Sequence, residues 1–171
     1  FQVNSEQAQK LYDTALSYAD LKGNETVVDV YCGTGTITLF LAKRAKFAYG
    51  IEIVEPAIRD AVKNAKDNGV KNAHFICGDA AYKLPELLRS GVKPDVIVID
   101  PPRAGCEEKV LNAIASVKPK RVVYVSCNPA TLARDLAYMK TRGYGTQKVQ
   151  PVDMFPQTHH TEAVALLVRE R

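Results

Sequence analysis

The chain has 171 residues, 46% of them hydrophobic and 25% charged, a composition typical of a soluble globular protein. No apolar run approaches the ~20 residues that a membrane-spanning helix needs, and no signal-peptide pattern opens the chain, so we expect a cytoplasmic protein without membrane contact. The net charge of +4 permits a nucleic-acid partner without requiring one.

The hydrophobic pattern predicts one domain in which helices and strands alternate. In the first half of the chain, the predicted elements are a helix over 5–20, a strand over 26–31, a helix over 37–44, a strand over 47–53 and a helix over 56–68. In the second half they are a strand over 74–77, a helix over 84–90, a strand over 95–100, a helix over 107–116, a strand over 121–126, a helix over 131–141, and strands over 146–154 and 163–169.

This order of elements predicts the fold class. Strands that alternate with helices form a parallel sheet covered by helices on both faces. The continuous apolar run at 95–100 is typical of a strand at the centre of such a sheet. The last two strands have no helix between them, so we expect them to form an antiparallel hairpin. The prediction is an α/β fold with a mostly parallel, seven-stranded sheet.

The first predicted strand is followed by a glycine loop, Tyr-Cys-Gly-Thr-Gly-Thr at 31–36. Gly33 and Gly35 permit a tight turn and a close approach of the backbone to a ligand. Thr38 replaces the third glycine of the dinucleotide fingerprint, which argues against a pyrophosphate ligand. An NAD-dependent oxidoreductase therefore fits this loop less well.

Acidic residues follow the next two strands. Glu52 ends the second strand, where a carboxylate can accept hydrogen bonds from both hydroxyls of a ribose. Asp79 follows the third strand, where a side chain can meet an adenine edge. Together with the glycine loop, these residues describe the S-adenosylmethionine pocket of Rossmann-like methyltransferases. The alternative is that they are ordinary turn and surface residues.

The fourth strand ends in Asp-Pro-Pro-Arg-Ala-Gly at 100–105. Methyltransferases that act on exocyclic amino groups carry an aromatic residue at the position of Arg103, where it stacks on the target base. The arginine argues against that chemistry, and its guanidinium suits a pyrimidine oxygen or a phosphate. A solvated turn arginine is the alternative.

The fifth strand leads into Ser-Cys-Asn-Pro at 126–129. Cys127 thus lies at the carboxyl end of a strand, where open α/β sheets bind their ligands. The helix that follows is expected to lower the pKa of the thiol through its N-terminus. We interpret Cys127 as a nucleophile, with a buried and unreactive thiol as the alternative. Cys32, Cys77 and Cys106 lack this combination, and we interpret them as packing or turn residues.

The segment at 154–162 reads Met-Phe-Pro-Gln-Thr-His-His-Thr-Glu and precedes the last strand. Glu162 is a candidate general base, and a solvated loop glutamate is the alternative. His159 and His160 are adjacent and point apart on an extended chain, and the cysteines lack C-x-x-C spacing. We therefore predict no metal site.

Five motifs, occurring in the family's order, resemble the RNA uracil-C5 methyltransferase family, in particular its bacterial 23S rRNA members. They are Phe-Gln-Val-Asn at 1–4, the glycine loop, Asp-Pro-Pro-Arg-Ala-Gly at 100–105, Ser-Cys-Asn-Pro-Ala-Thr-Leu-Ala-Arg-Asp at 126–135, and the segment at 154–162. The resemblance covers essentially the whole chain. It implies the Rossmann-like class I fold of S-adenosylmethionine-dependent methyltransferases.

The resemblance also implies roles for particular residues. Cys127 is the implied nucleophile and Glu162 the implied general base, and we place Arg103 with them in the catalytic group. The implied contacts to S-adenosylmethionine, besides the loop glycines Gly33 and Gly35, are Gln2, Tyr31, Thr36, Glu52, Asp79 and Asp100.

The implied reaction is methyl transfer to carbon 5 of a uridine in RNA, with rRNA favoured over tRNA, through a bond between Cys127 and carbon 6 of the base. Family members usually carry an N-terminal OB-like RNA-binding domain and a small central domain, neither of which this chain matches. We therefore expect residues 1–171 to be a catalytic domain, and a monomer. The alternatives are an exocyclic-amine methyltransferase and an inactive cofactor-binding or RNA-docking module.

Overall fold

The computed structural model describes residues 5–154 and 161–170. The helices are α1 (Ser5–Ala19), α2 (Thr36–Ala42), α3 (Glu55–Asp67), α4 (Ala80–Arg89), α5 (Glu108–Val117) and α6 (Pro129–Thr141). The strands are β1 (Thr26–Val30), β2 (Phe47–Glu52), β3 (Ala73–Cys77), β4 (Val96–Ile99), β5 (Arg121–Ser126), β6 (Tyr144–Val152) and β7 (Glu162–Arg169). No helix in this part of the chain combines the length and apolar character that a membrane crossing requires.

The strands form one sheet in the order β3-β2-β1-β4-β5-β7-β6. Strands β1 to β5 are parallel, and β7 lies antiparallel between β5 and β6. The predicted α/β fold, with its mostly parallel sheet and antiparallel C-terminal strands, is confirmed. The strand order reverses between β1 and β4. At such a switch point, a crevice opens outside the carboxyl ends of the strands.

The central strands are apolar because both of their faces are buried. Successive side chains of a strand point to opposite faces, so neighbours in sequence enter different cores. Val28 and Ile97 pack in a core with residues of α4, α5 and α6, whereas Val27 and Val98 pack with residues of α1 and α2. The sheet is thereby held from both sides, and its carboxyl edge has a fixed shape.

Two helices begin two or more residues earlier than the sequence predicts, because side chains cap them. Helix α4 begins at Ala80, where Asp79 accepts a hydrogen bond from the Ala81 N–H at 2.9 Å. Helix α6 begins at Pro129, where Asn128 accepts one from the Ala130 N–H at 3.0 Å. Such caps satisfy N–H groups that have no partner within the helix. Both caps lie just after a strand, so they place two helix N-termini at the carboxyl edge of the sheet.

Candidate active site

The strand directions bring the polar residues of the predicted site to one edge of the sheet. The carboxyl ends of β1 to β5 lie at this edge, and β7, which runs the opposite way, begins there. The residues at or directly after these ends are Tyr31, Glu52, Asp79, Asp100, Cys127 and Glu162. All of them were singled out from the sequence.

The glycine loop makes the turn that its sequence predicts. Gly33 and Gly35 have φ values of 53° and 83°, in the region that residues with a side chain rarely adopt. A Cβ atom at Gly35 would lie 2.9 Å from the Phe75 ring and 3.0 Å from the Ala61 methyl group. Gly35 is therefore needed both for its backbone conformation and for the close approach of α2 and α3 to the sheet.

The Glu52 carboxylate is tied to the glycine loop. It accepts hydrogen bonds from the Gly33 N–H at 3.2 Å and the Val54 N–H at 3.0 Å. These bonds use one lone pair on each oxygen, and an ionised carboxylate has about four acceptor sites. Glu52 is thus fixed in orientation and retains capacity for further donors.

A cavity of about 490 Å³ opens beside Glu52, a volume typical of small-molecule sites. Polar groups from four strand ends face it, together with apolar side chains on its walls. Its lining residues are Tyr31, Ile51, Glu52, Ile53, Val54, Gly78, Asp79, Ala80, Asp100, Pro101, Pro102, Glu107 and Val110. A flat apolar group and a hydroxylated group can both be accommodated there.

Asp79 is held in its ionised form at the rim of this cavity. Lys109 of α5 donates a hydrogen bond to its carboxylate at 2.8 Å, and the Ala81 N–H donates another at 2.9 Å. The Lys109 bond, followed by the Ala81 bond, lowers the pKa of Asp79. Lys109 was not identified from the sequence, because it lies 30 residues from its partner.

Tyr31 has an unusual backbone conformation, with φ of 65°. This conformation costs a non-glycine residue on the order of 1–2 kcal/mol, and such residues cluster at functional sites. The Tyr31 hydroxyl lies 3.6 Å from the Cys106 sulfur, at hydrogen-bonding distance. Tyr31 thus connects the glycine loop with the chain segment that follows β4.

Four of the eight predicted cofactor contacts are not among the residues that line this cavity: Gln2, Gly33, Gly35 and Thr36. Thr36 is exposed at the start of α2 and lines a separate cavity of about 230 Å³ between α2 and α3. Gln2 lies outside the described residues, as do His159 and His160. For all eight residues, cofactor contact stays a prediction.

Three buried carboxyl groups have raised pKa values: Asp29 on β1, Asp100 directly after β4 and Glu162 at the start of β7. Burial, together with the charges of Asp29 and Glu162, raises the pKa of Asp100 to about 7. Burial raises the pKa of Asp29 to about 7 as well, against an opposing hydrogen bond of 2.6 Å from the Thr38 hydroxyl. Burial also raises the pKa of Glu162. These groups can therefore exchange protons nearer to neutral pH than exposed carboxylates do.

Cys127 is half-buried, and its pKa is raised rather than lowered. Burial is the main cause, and the charges of Glu162 and Asp100 add to it. A hydrogen bond from the Cys127 backbone N–H and, to a smaller extent, the charge of Arg103 act in the opposite direction. The expectation of a lowered pKa from the helix N-terminus was therefore wrong. Two carboxylates and desolvation outweigh that effect, and the thiolate depends on Arg103 for a compensating charge.

Arg103 lies in the 101–106 loop, which follows β4. Arg103 is exposed, and its backbone carbonyl accepts hydrogen bonds from the Asn128 side chain at 3.2 Å and the Thr131 hydroxyl at 3.3 Å. Both donors belong to the start of α6, directly after Cys127. The loop that carries Arg103 is therefore attached to the segment that carries the thiol.

Asp29 was missed in the sequence, although a signal was present. A charged residue in the middle of an otherwise apolar strand is unusual, and Asp29 is only 1% exposed. Its Oδ1 atom has no hydrogen-bond partner among the described residues.

No group of three or more His, Cys, Asp or Glu side chains in residues 5–154 and 161–170 has an arrangement that could hold a metal ion.

The family model for tRNA (uracil-5-)-methyltransferases matches residues 1–170. A protein of Caldanaerobacter subterraneus subsp. tengcongensis, named as an uncharacterized RNA methyltransferase, is 57% identical over 99% of this chain and 37% of its own length. A protein of Halalkalibacterium halodurans with the same kind of name is 59% identical over 98% of this chain and 36% of its own. The chain thus spans little more than a third of these relatives.

Two solved methyltransferase structures are similar to this chain. The tRNA (uracil-54, C5)-methyltransferase of Pyrococcus abyssi, in complex with S-adenosyl-L-homocysteine, has a TM-score of 0.82 and 36% identity, over 98% of this chain and 40% of its own. A precorrin-6y C5,15-methyltransferase of Geobacter metallireducens has a TM-score of 0.79 at 15% identity, over 94% of this chain and 89% of its own, which shows the shared fold. The chain belongs to the tRNA (uracil-5-)-methyltransferase family.

Proposed function

We propose that the protein transfers a methyl group from S-adenosylmethionine to carbon 5 of a uridine in RNA, and that this chain is its catalytic domain. The observation that carries the proposal is the meeting of Cys127 and Glu162 at the sheet edge beside the cavity. Their neighbours Ser126 and Ala163 pair across β5 and β7, and the charge of Glu162 raises the pKa of the Cys127 thiol. A thiol and a carboxylate are the two groups that uracil-C5 methylation requires.

The cavity suits the nucleoside part of S-adenosylmethionine. Glu52 has free acceptor capacity for ribose hydroxyls, and Ile53, Val54 and Pro101 provide apolar walls for a base. Asp79 lies at the rim, where it can accept from an adenine amino group. The similar protein of Pyrococcus abyssi, whose structure holds S-adenosyl-L-homocysteine, supports this assignment. When bound, the cofactor supplies an electrophilic methyl group on a sulfonium.

Cys127 activates the uracil ring. Carbon 5 of uracil is too weak a nucleophile to accept a methyl group directly, and a thiolate that adds to carbon 6 places carbanion character on carbon 5. The thiolate electron pair forms the new bond to carbon 6, and the electron pair of the ring double bond moves into an enolate with carbanion character at carbon 5. Carbon 5 would use this pair to take the methyl group, whose bond to the sulfonium sulfur breaks and leaves its pair on that sulfur. The Arg103 guanidinium favours the thiolate.

Glu162 completes the reaction. After methylation, carbon 5 carries both a proton and the methyl group, and a base must remove the proton before the ring can be restored. The Glu162 carboxylate takes this proton, the electron pair re-forms the double bond between carbons 5 and 6, and the Cys127 thiolate leaves. Burial raises the pKa of Glu162, which makes it a stronger base than an exposed glutamate.

The RNA class follows from the resemblance to 23S rRNA enzymes, and we propose rRNA as the first substrate to test. The similarity to a tRNA (uracil-54, C5)-methyltransferase favours tRNA as the second. In either RNA, a base in a loop can leave its stack at low cost, as access to the thiol demands. Transfer of labelled methyl groups to unmodified transcripts of 23S rRNA and tRNA would decide between them.

Covalent trapping tests the proposed mechanism. In RNA with 5-fluorouridine at the target, carbon 5 carries fluorine in place of the proton, so elimination fails and the adduct with Cys127 persists. We expect a methylated RNA–protein complex that survives denaturing electrophoresis, with Cys127 in the linked peptide. Cys77→Ala, which removes an exposed thiol elsewhere, should trap normally. Attachment through another residue, or no adduct when S-adenosylmethionine binds, would contradict the proposal.

A further inference from the structure

Asp135 of α6 has contacts that neither the fold nor the proposed reaction explains. Its side chain is only 1% exposed, yet it carries a charge-bearing carboxyl group in the interior. The Cys106 N–H donates to it at 2.7 Å and the Tyr124 hydroxyl at 2.5 Å. Arg134 donates to its other oxygen at 2.8 Å. A buried carboxylate with this many donors is a rigid connection point.

The donors join Asp135 to the loop that carries Arg103. Cys106 ends the 101–106 loop, so its N–H bond fixes that end of the loop directly. Arg134, oriented by Asp135, donates to the Ala104 carbonyl at 3.0 Å and to the Cys106 carbonyl at 3.4 Å. Backbone groups on both sides of Gly105 are thus attached to one helix.

Gly105 shows how closely the loop lies against α6. Its φ is 81°, and a Cβ atom there would lie 2.5 Å from Arg134 Nη2, 2.8 Å from Asp135 Oδ2 and 2.9 Å from Thr131 Cβ. No side chain fits between the loop and the helix. The sequence Arg-Ala-Gly therefore permits a contact with Asp135 that most residues at position 105 would prevent.

The loop attached in this way carries Arg103, whose positive charge acts on the Cys127 thiol. The charged side chains that act on the thiol are Glu162 from β7, Asp100 after β4 and Arg103 from the loop. Of these, only Arg103 favours the thiolate. Its backbone is held at the start of α6 by Asn128 and Thr131, and the rest of the loop is held one turn further along by Asp135.

We propose that Asp135 is a positioning residue, which holds the 101–106 loop on α6 so that the Arg103 guanidinium stays beside the Cys127 thiol. This inference deepens the proposed function, since a thiolate nucleophile is what that reaction uses. The carboxylate does not touch the substrate. It acts through the loop backbone, with Tyr124 and Arg134 fixing its orientation.

The test measures the Cys127 thiolate without RNA. Alkylation by iodoacetamide proceeds through the thiolate, so its rate at the Cys127 peptide, followed by mass spectrometry from pH 6 to 10, gives the pKa of the thiol. With Asp135→Asn we expect a higher pKa and, at pH 7.5, alkylation slowed about three- to tenfold, since one pKa unit corresponds to a tenfold change in the thiolate fraction.

The direction of this change separates positioning from direct electrostatics. Removal of a negative charge near a thiol by itself favours the thiolate and would lower the pKa. Loss of the Arg103 position raises it. Glu108→Gln, which removes an exposed acidic charge at the start of α5, should leave alkylation unchanged. Faster or unchanged alkylation in a folded Asp135→Asn protein would overturn the proposal.

A double-mutant cycle tests the route through Arg103. Arg103→Gln alone should slow alkylation, and Asp135→Asn should add little in the Arg103→Gln background. Fully additive effects would overturn the proposal. If Asp135→Asn fails to fold, Tyr124→Phe removes one donor and keeps the charge, and we expect alkylation slowed about twofold. Unchanged alkylation in that variant would count against positioning.

These outcomes are independent of the proposed function. Slowed alkylation in Asp135→Asn, with no 5-fluorouridine adduct in the wild-type protein, would support the positioning role and contradict uridine methylation. Normal adduct formation in the wild-type protein, with unchanged alkylation in the variant, would support the function and overturn the positioning role. S-adenosylhomocysteine binding should be equal in both proteins, as a check that the cavity is intact.

Discussion

Acidic side chains on the two sides of the sheet's carboxyl edge have pKa values shifted in opposite directions. Asp79, after β3, lies at a helix N-terminus next to Lys109, and these contacts lower its pKa. Burial of Asp100, after β4, raises its pKa to about 7, and the charges of Asp29 and Glu162 add to this effect. An aspartate side chain therefore stays ionised after β3, whereas after β4 it gains and loses a proton near neutral pH.

This difference indicates that ligand binding and proton transfer take place at different parts of the edge. A fixed charge with satisfied hydrogen bonds suits recognition, because its interactions with a ligand do not change with small changes in pH. Groups with raised pKa values suit proton transfer, which works best when the pKa lies near the working pH. On this interpretation, the β1–β3 side binds the nucleoside and the β4, β5 and β7 side performs the chemistry.

Cys127→Ala should abolish the chemistry without affecting cofactor binding, and we expect the largest effect from this variant. Without the thiol no bond to carbon 6 can form, so methyl transfer and 5-fluorouridine trapping should both fall below detection. S-adenosylhomocysteine binding, measured by calorimetric titration, should stay within about twofold of the wild type, because Cys127 does not line the cavity. Loss of both properties would show that the cysteine is structural.

Glu162→Gln should separate the two halves of the reaction. The amide cannot accept the carbon 5 proton, so adduct formation should continue while its release stalls. We expect turnover to fall by about a hundredfold or more, with accumulation of an RNA–protein adduct on ordinary uridine RNA. Quench-flow analysis on denaturing gels measures both quantities. A variant with normal turnover would exclude Glu162 as the base.

Gly35→Ala sharpens the comparison on the binding side. The added methyl group would clash with Phe75 and Ala61 in a left-handed backbone conformation. We expect a loss of about 2–4 kcal/mol in the free energy of unfolding, from strain and overpacking together, and weaker S-adenosylhomocysteine binding. Gly33→Ala is the matched control, since its Cβ meets nothing within 4 Å. Equal losses in the two variants would contradict the role of the close approach.

The sequence predicts the edge because strand ends are local features. Apolar runs define β1 and β4, and the polar residue that ends each run must lie at the carboxyl edge once the sheet is parallel. Glu52, Asp100 and Cys127 are located in this way. The seven-stranded sheet with its antiparallel end follows from the same patterns.

The electrostatics could not be predicted, because they depend on contacts between distant parts of the chain. The pKa of Cys127 is set by Glu162, Asp100 and Arg103, which reach it from other elements. The only local cue was the following helix, and it gave the wrong direction. Lys109 beside Asp79 and Asp135 beside Cys106 are likewise separated from their partners by about 30 residues along the chain.

Asp29→Asn tests the raised pKa of a buried carboxyl group in the middle of the sheet, through the pH dependence of stability. The folded pKa of Asp29, about 7, exceeds its usual value of 3.8, so folding favours the protonated form. The stabilising contribution is complete below about pH 4 and is lost as the pH rises towards 7, at no more than about 1.4 kcal/mol per pKa unit. The stability of the wild-type protein should therefore fall between pH 5 and 7, and the stability of the asparagine variant should fall less.

Urea unfolding at fixed pH values measures this slope. Asp20→Asn is the matched control, because Lys22 lowers the pKa of the exposed Asp20 carboxyl, so its proton exchange lies below pH 4. That variant should keep the wild-type slope between pH 5 and 7. If Asp29→Asn keeps it too, Asp29 is ionised in the folded protein throughout this range. The Thr38 hydrogen bond would then outweigh burial, and Asp29 would keep its charge as Asp79 does.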